Sequence, residues 1–87
     1  MKSEYIRQII KGCGREADYI IILKQKKREE AIEKIKEKMK KTNDLGGLYI
    51  RGYVEEVELN LFKNGRLLIR GLKEEKELER FTEKLFK

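Results

Sequence analysis

Three groups of residues in this chain have types and spacings that could do chemistry. Gly12-Cys13-Gly14-Arg15 sets a thiol between glycines and beside a guanidinium. Lys24, Lys26, Lys27 and Arg28 gather four cations ahead of the first acid of their segment, and Phe62, Arg66, Leu68 and Arg70 bracket a Lys63-Asn64-Gly65 turn. A cysteine acts as a nucleophile through its thiolate, and the chain has no histidine to take the proton. With only Lys11 and Arg15 nearby, Cys13 reads as a small packing residue at a helix end, and its glycines as helix C-caps rather than a phosphate cradle. No serine-histidine-aspartate set, no cysteine-histidine pair and no carboxylate cluster at metal spacing is available. One cysteine also excludes an internal disulfide. The expectation is a non-enzymatic protein without cofactor or metal, whose work is binding.

The other two groups offer binding chemistry. Lys24, Lys26, Lys27 and Arg28, continued by Lys34, Lys36, Lys38, Lys40 and Lys41, could contact phosphates. The interleaved Glu29, Glu30, Glu33 and Glu37 equally suit a solvated helix laced with i,i+4 pairs. Lys24 to Arg28 precede those acids and form the best candidate for a polyanion contact. Charge is uneven: residues 1 to 45 hold 13 basic and 8 acidic side chains, residues 46 to 87 hold 9 and 8. Phe62 for stacking and Arg66 and Arg70 for phosphates, with Leu68 between them, make the mixture a nucleic-acid platform uses. The same Phe62 and Leu68 would equally seed a homodimer or a protein-partner interface.

Turn geometry decides how these side chains are presented. A two-residue Asn64-Gly65 turn would put Arg70 among Val57, Leu59 and Leu61. A three-residue Lys63-Asn64-Gly65 loop, with Gly65 left-handed, pairs Phe62 with Arg66, Leu59 with Ile69 and Glu58 with Arg70. In that register Val57, Leu59, Leu61, Leu67 and Ile69 share one face, while Glu56, Glu58, Asn60, Phe62, Arg66, Leu68 and Arg70 share the other.

The remaining elements follow from periodicity. Ser3 is expected to cap a short helix with a stripe of Tyr5, Ile6, Ile9 and Ile10, ended by Gly12-Cys13-Gly14. Tyr19 to Leu23 predicts the central strand. Ala31, Ile32, Ile35 and Met39 predict a helix from about Lys26 to Lys41, broken by Thr42 to Gly47. Leu48 to Tyr53 predicts a strand, and Leu78, Phe81 and Leu85 a helix over roughly Lys73 to Phe86. Narrow apolar stripes must bury themselves on the apolar hairpin face, so residues 1–87 should form one two-layer α+β domain of order α-β-α-β-β-β-α. Helices on one face of a mainly antiparallel sheet leave the Phe62, Arg66, Leu68 and Arg70 face open.

Charged residues make up 44% of the chain, and proline, histidine and tryptophan are absent. That composition is like that of heat-adapted intracellular proteins. No apolar run reaches signal-peptide or bilayer-spanning length, so a cytoplasmic protein without membrane association is expected.

Leu59-Asn60-Leu61-Phe62-Lys63-Asn64-Gly65-Arg66-Leu67-Leu68-Ile69-Arg70-Gly71-Leu72-Lys73, followed by an acidic amphipathic helix, resembles the end of a TATA-binding-protein repeat. It is also similar to the strand-turn-strand-helix that ends many ThiF/MoeB-type adenylyltransferases. The likeness covers about residues 57 to 86. It implies that Phe62, Arg66, Leu68 and Arg70 belong to a concave sheet surface of the kind that the TATA-binding family presses into the DNA minor groove. That family uses two repeats and an apolar saddle, whereas this chain has one repeat and carries Glu56 and Glu58, so a saddle would need a homodimer. The adenylyltransferase likeness implies no chemistry, because the nucleotide-binding Gly-rich loop and the zinc cysteines are missing.

Overall fold

The computed structural model describes residues 4–13, 15 and 17–87. Six strands and two helices follow as β1 (Ile6–Lys11), β2 (Tyr19–Leu23), α1 (Arg28–Lys38), β3 (Lys40–Leu45), β4 (Tyr49–Val54), β5 (Val57–Phe62), β6 (Arg66–Arg70) and α2 (Glu75–Leu85). A single 3-10 turn, Gln25–Lys27, leads into α1. The strands form one antiparallel sheet in the order β1-β2-β6-β5-β4-β3. Tyr19, Ile21, Leu23, Val57, Leu59, Leu61, Leu67 and Ile69 are buried from one face of that sheet in a single cluster with Ala31 and Ile35 of α1 and Leu78, Phe81 and Leu85 of α2. Both helices therefore cover the same face, and the fold is two-layer α+β.

The β5-β6 hairpin has the three-residue loop. Leu59 pairs with Ile69, Asn60 with Leu68 and Glu58 with Arg70. The Gly65 amide donates to the Phe62 carbonyl (3.0 Å), the Arg66 amide donates to Asn64 Oδ1 (3.2 Å), and Gly65 has φ +94°. That conformation suits glycine because a Cβ would collide with its own carbonyl neighbourhood. Glu58 and Arg70 stand opposite each other without forming an ion pair, since Arg70 turns its guanidinium to the Arg15 carbonyl.

The first element is a strand, not the expected helix. β1 pairs with β2 with a one-residue irregularity between Ile6 and Gln8, so that Ile6 faces Leu23 and Ile9 faces Ile21. The bulge sets these two core-facing isoleucines three residues apart, a spacing that imitates a helix. Ser3, the expected cap, and Gly14 lie outside the described residues. Gly12 sits in the β1-β2 connection and its amide donates to the Asp18 carbonyl (2.8 Å), so it caps no helix. β2 is an interior strand, second from the β1 edge rather than central.

Residues 40–45 form the edge strand β3, where Lys40 and Lys41 were expected to end the helix and Thr42 to Leu45 to begin a break. α1 stops at Lys38 because Met39 turns extended (φ −73°, ψ 140°) and buries its side chain beneath Gly52. A Cβ on Gly52 would lie 2.6 Å from Met39 Cε. The last helix is capped reciprocally: the Glu74 side chain accepts from the Glu77 amide while Glu77 Oε1 accepts from the Glu74 amide (3.1 Å). Its other end is closed from outside, with Lys38 Nζ donating to the carbonyls of Lys84 (2.6 Å) and Leu85 (2.9 Å). Among the described residues no helix is long and apolar enough to cross a membrane.

Candidate functional site

Strand alternation and register place the uncovered side chains in rows. One row runs Ile10, Ile20, Leu68, Asn60, Arg51, Asn43. A second passes Gln8, Ile22, Arg66 and then, across the hairpin, Phe62, Tyr49 and Leu45. The third holds Arg70, Glu58 and Tyr53. The face therefore divides into an aliphatic half over β1 and β2 and an aromatic, arginine-bearing half over β4, β5 and β6, meeting at Leu68.

On the second half the Tyr49 and Phe62 rings stack across strands at 4.7 Å between centroids and 17° between planes. Such a cross-strand pair contributes about 0.5–1.5 kcal/mol beyond its buried area. Next to it runs a polar chain. Arg51 Nε donates to Asn60 Oδ1 (3.1 Å), Asn60 Nδ2 donates to Glu58 Oε2 (3.4 Å), and the Tyr53 hydroxyl donates to Glu58 Oε1 (3.3 Å). Asn60 is only 7% exposed although it lies on the uncovered face. Its neighbours bury it, and both ends of its amide are hydrogen-bonded, as a buried amide requires. A shallow groove of about 360 Å³ is lined by the exposed Arg15, Arg51 and Arg70 and by Tyr49, Phe62, Glu58, Asn60 and Leu68, which are more deeply buried.

Of the residues singled out from sequence, Phe62, Arg66, Leu68 and Arg70 stand together on this face. Glu56 does not: it lies in the β4-β5 turn, where Val54 pairs with Val57. The basic segment divides. Lys24 is extended and continues the alternation of Ile20 and Ile22, which puts it beyond Arg66 on the uncovered side, and Lys26 is exposed beside it. Lys27 is held at the helix layer by Glu4 (3.3 Å), Glu30 (3.9 Å) and the Tyr5 ring (5.9 Å). Arg28 donates to the Asn64 carbonyl (3.4 Å), buttressing the hairpin turn.

Tyr49 and Arg51 escaped the sequence reading, and Arg15 entered it only as a neighbour of the Cys13 thiol. The alternation Tyr49-Arg51-Tyr53 carries a signal for the first two, readable once the Glu55-Glu56 turn fixes the β4 register. Nothing local marks Arg15, which arrives from a loop. At the opposite end, Asp18 accepts from the Gly71 amide (2.7 Å) and pairs with Lys73 (3.4 Å). The Gly71 amide, with Lys73, holds the Asp18 carboxyl below the usual aspartate range.

Among the described residues no cluster of three or more histidine, cysteine, aspartate or glutamate side chains could hold a metal ion. No protein-family model matches the chain, and no curated protein or solved structure matches it. The geometry itself defines the class: a two-layer α+β domain with one sheet face left uncovered.

Proposed function

We propose that this is a non-enzymatic nucleic-acid-binding module whose site is the open sheet face, flanked by Lys24 and Lys26. The observation that carries the reading is the aromatic pair Tyr49-Phe62 set among Arg15, Arg51, Arg66 and Arg70, on a face that no helix covers. Stacked rings supply a surface for bases, and arginines supply donors to phosphate. Glu58, the one acid among them, is engaged by Tyr53 and Asn60. Cys13, exposed and the chain's single cysteine, fits a reducing compartment such as the cytoplasm.

The test is titration of labelled single strands and duplexes at two salt concentrations. Affinity should fall as salt rises, because each phosphate contact releases counterions. Arg66→Ala, which removes an exposed guanidinium, should weaken binding at both concentrations while melting at nearly the wild-type temperature. Salt-independent binding, or none, sinks the proposal.

A second reading rests on the aliphatic half. Ile10 is 39% exposed at the sheet edge, and Ile20, Ile22 and Leu68 are only half-buried beside it. This strip suits a second copy or a protein partner. Sedimentation of the wild type against Ile10→Lys separates the two, since only the strip reading expects an oligomer that the lysine dissolves.

A further inference from the structure

We infer that the groove beside Tyr49 and Phe62 receives a guanine base of a single-stranded nucleic acid, a deepening that rests on the nucleic-acid reading above. Glu58 is the starting point. A carboxylate on a surface built to meet phosphates repels them unless it has another task, and this one makes no ion pair among the described residues although Arg70 lies directly across from it. Each of its oxygens accepts one hydrogen bond from within the fold, Oε1 from Tyr53 and Oε2 from Asn60. Those two bonds fix the orientation of the carboxylate and leave a further lone pair on each oxygen. The result is a fixed pair of adjacent acceptors in the lining of the groove.

Among the four neutral bases only guanine presents two adjacent donors, N1–H and the N2 amine, on its pairing edge. Adenine and cytosine each set a donor beside an acceptor, and uracil or thymine flanks its one donor with two acceptors. Guanine also carries O6 next to N1. Arg51 uses Nε on Asn60 Oδ1 (3.1 Å), which leaves its terminal nitrogens to donate to a base oxygen. A base inside a duplex has both faces stacked and its pairing edge occupied, so only an unpaired base can present a face to Phe62 and an edge to Glu58. The groove volume of about 360 Å³ is at the small end of ligand sites, roughly 300–1,000 Å³, and suits one nucleotide.

The experiment measures binding of a short uridine strand with a single central guanine, adenine, cytosine, uracil or inosine. The guanine strand should bind roughly 5- to 100-fold more tightly than the others, the discrimination one two-donor base contact supplies. Inosine, which lacks the N2 amine, should lose most of that gain without any change to the protein. Glu58→Gln keeps the shape, offers one acceptor and removes the negative charge, so it should bring the guanine and uracil strands to nearly one affinity, with the uracil strand bound more tightly than by the wild type. Salt-sensitive binding with no base preference, or a preference that survives Glu58→Gln, overturns this inference and leaves the broader reading standing. Free guanosine monophosphate competing as well as the strand overturns the strand assignment, and failure of every strand to bind overturns both readings.

Discussion

A methyl group on Gly12 would lie 2.1 Å from the Ala17 carbonyl oxygen and 2.8 Å from its carbon. These are backbone atoms in the connection to β2, fixed by the bond from the Gly12 amide to the Asp18 carbonyl, so they cannot swing aside. Gly12→Ala should therefore destabilise by about 1–3 kcal/mol, the usual cost of forced overpacking. A melting temperature within a degree or two of the wild type would refute that fit, since about 1 kcal/mol shifts a domain of this size by roughly 4–8 °C. Glu55 invites the reverse change. It opens the two-residue β4-β5 turn at φ 60°, where a side chain with a Cβ is strained. Its ion pair with Lys84 is exposed at 3.5 Å and contributes little. Glu55→Gly should raise stability by roughly 0.5–1 kcal/mol, read in a urea melt. Residue-level legibility was uneven for a physical reason: Gly65 announces its conformation through its neighbours in sequence, whereas the clash at Gly12 depends on a loop folding back.

The elements show where periodicity misleads. A helix was expected at the start from the stripe Tyr5, Ile6, Ile9 and Ile10, yet β1's bulge turns Ile6 and Ile9 to the core of a strand and leaves Ile10 on the other face. Edge strand β3, Lys40–Leu45, is almost wholly exposed, so neither of its faces leaves an apolar trace, and its lysines and bulge suit an edge that must not pair further. The β5-β6 hairpin was legible because one register alone sorted all its side chains. Contacts between elements yield two predictions. Lys38 of α1 closes the C-terminal carbonyls of α2, so Lys38→Met, which keeps the stem and removes the donor, should cost roughly 1 kcal/mol by urea unfolding. Asp18 ties the start of β2 to the Gly71 amide after β6. Because its folded pKa is lowered, its contribution is fully present above the unfolded value of about 3.9 and is lost as pH falls through the folded value. The stability gap between wild type and Asp18→Asn should hold at neutral pH and close in acid; a gap that widened below about pH 4 would contradict the bond.

At the scale of the whole molecule the question is whether the excess of positive charge acts as a field or as a path. A net charge of +6 draws any polyanion, so salt-dependent binding alone does not locate a site. The basic side chains do follow one another outward from the groove: Arg51 and Arg70 border it, Arg66 stands at the hairpin end of the face, and Lys24 and Lys26 come next beyond the sheet. On a body of 31 × 28 × 21 Å, a strand seated in the groove reaches those lysines only if it extends past the hairpin. A Lys24→Ala, Lys26→Ala variant should therefore bind a probe of about four nucleotides like the wild type and lose affinity for one of about twelve. For the longer probe the plot of log affinity against log salt should flatten by roughly 0.7 for each phosphate contact removed. Lys76 supplies the control, being exposed on α2 in the helix layer. Equal losses at both probe lengths, or a matching loss from Lys76→Ala, would mean that the chain attracts nucleic acid by diffuse charge and that the basic segment has no place in the site. A loss confined to the longer probe would give the strand a direction, from the groove across Arg66 and out over Lys24.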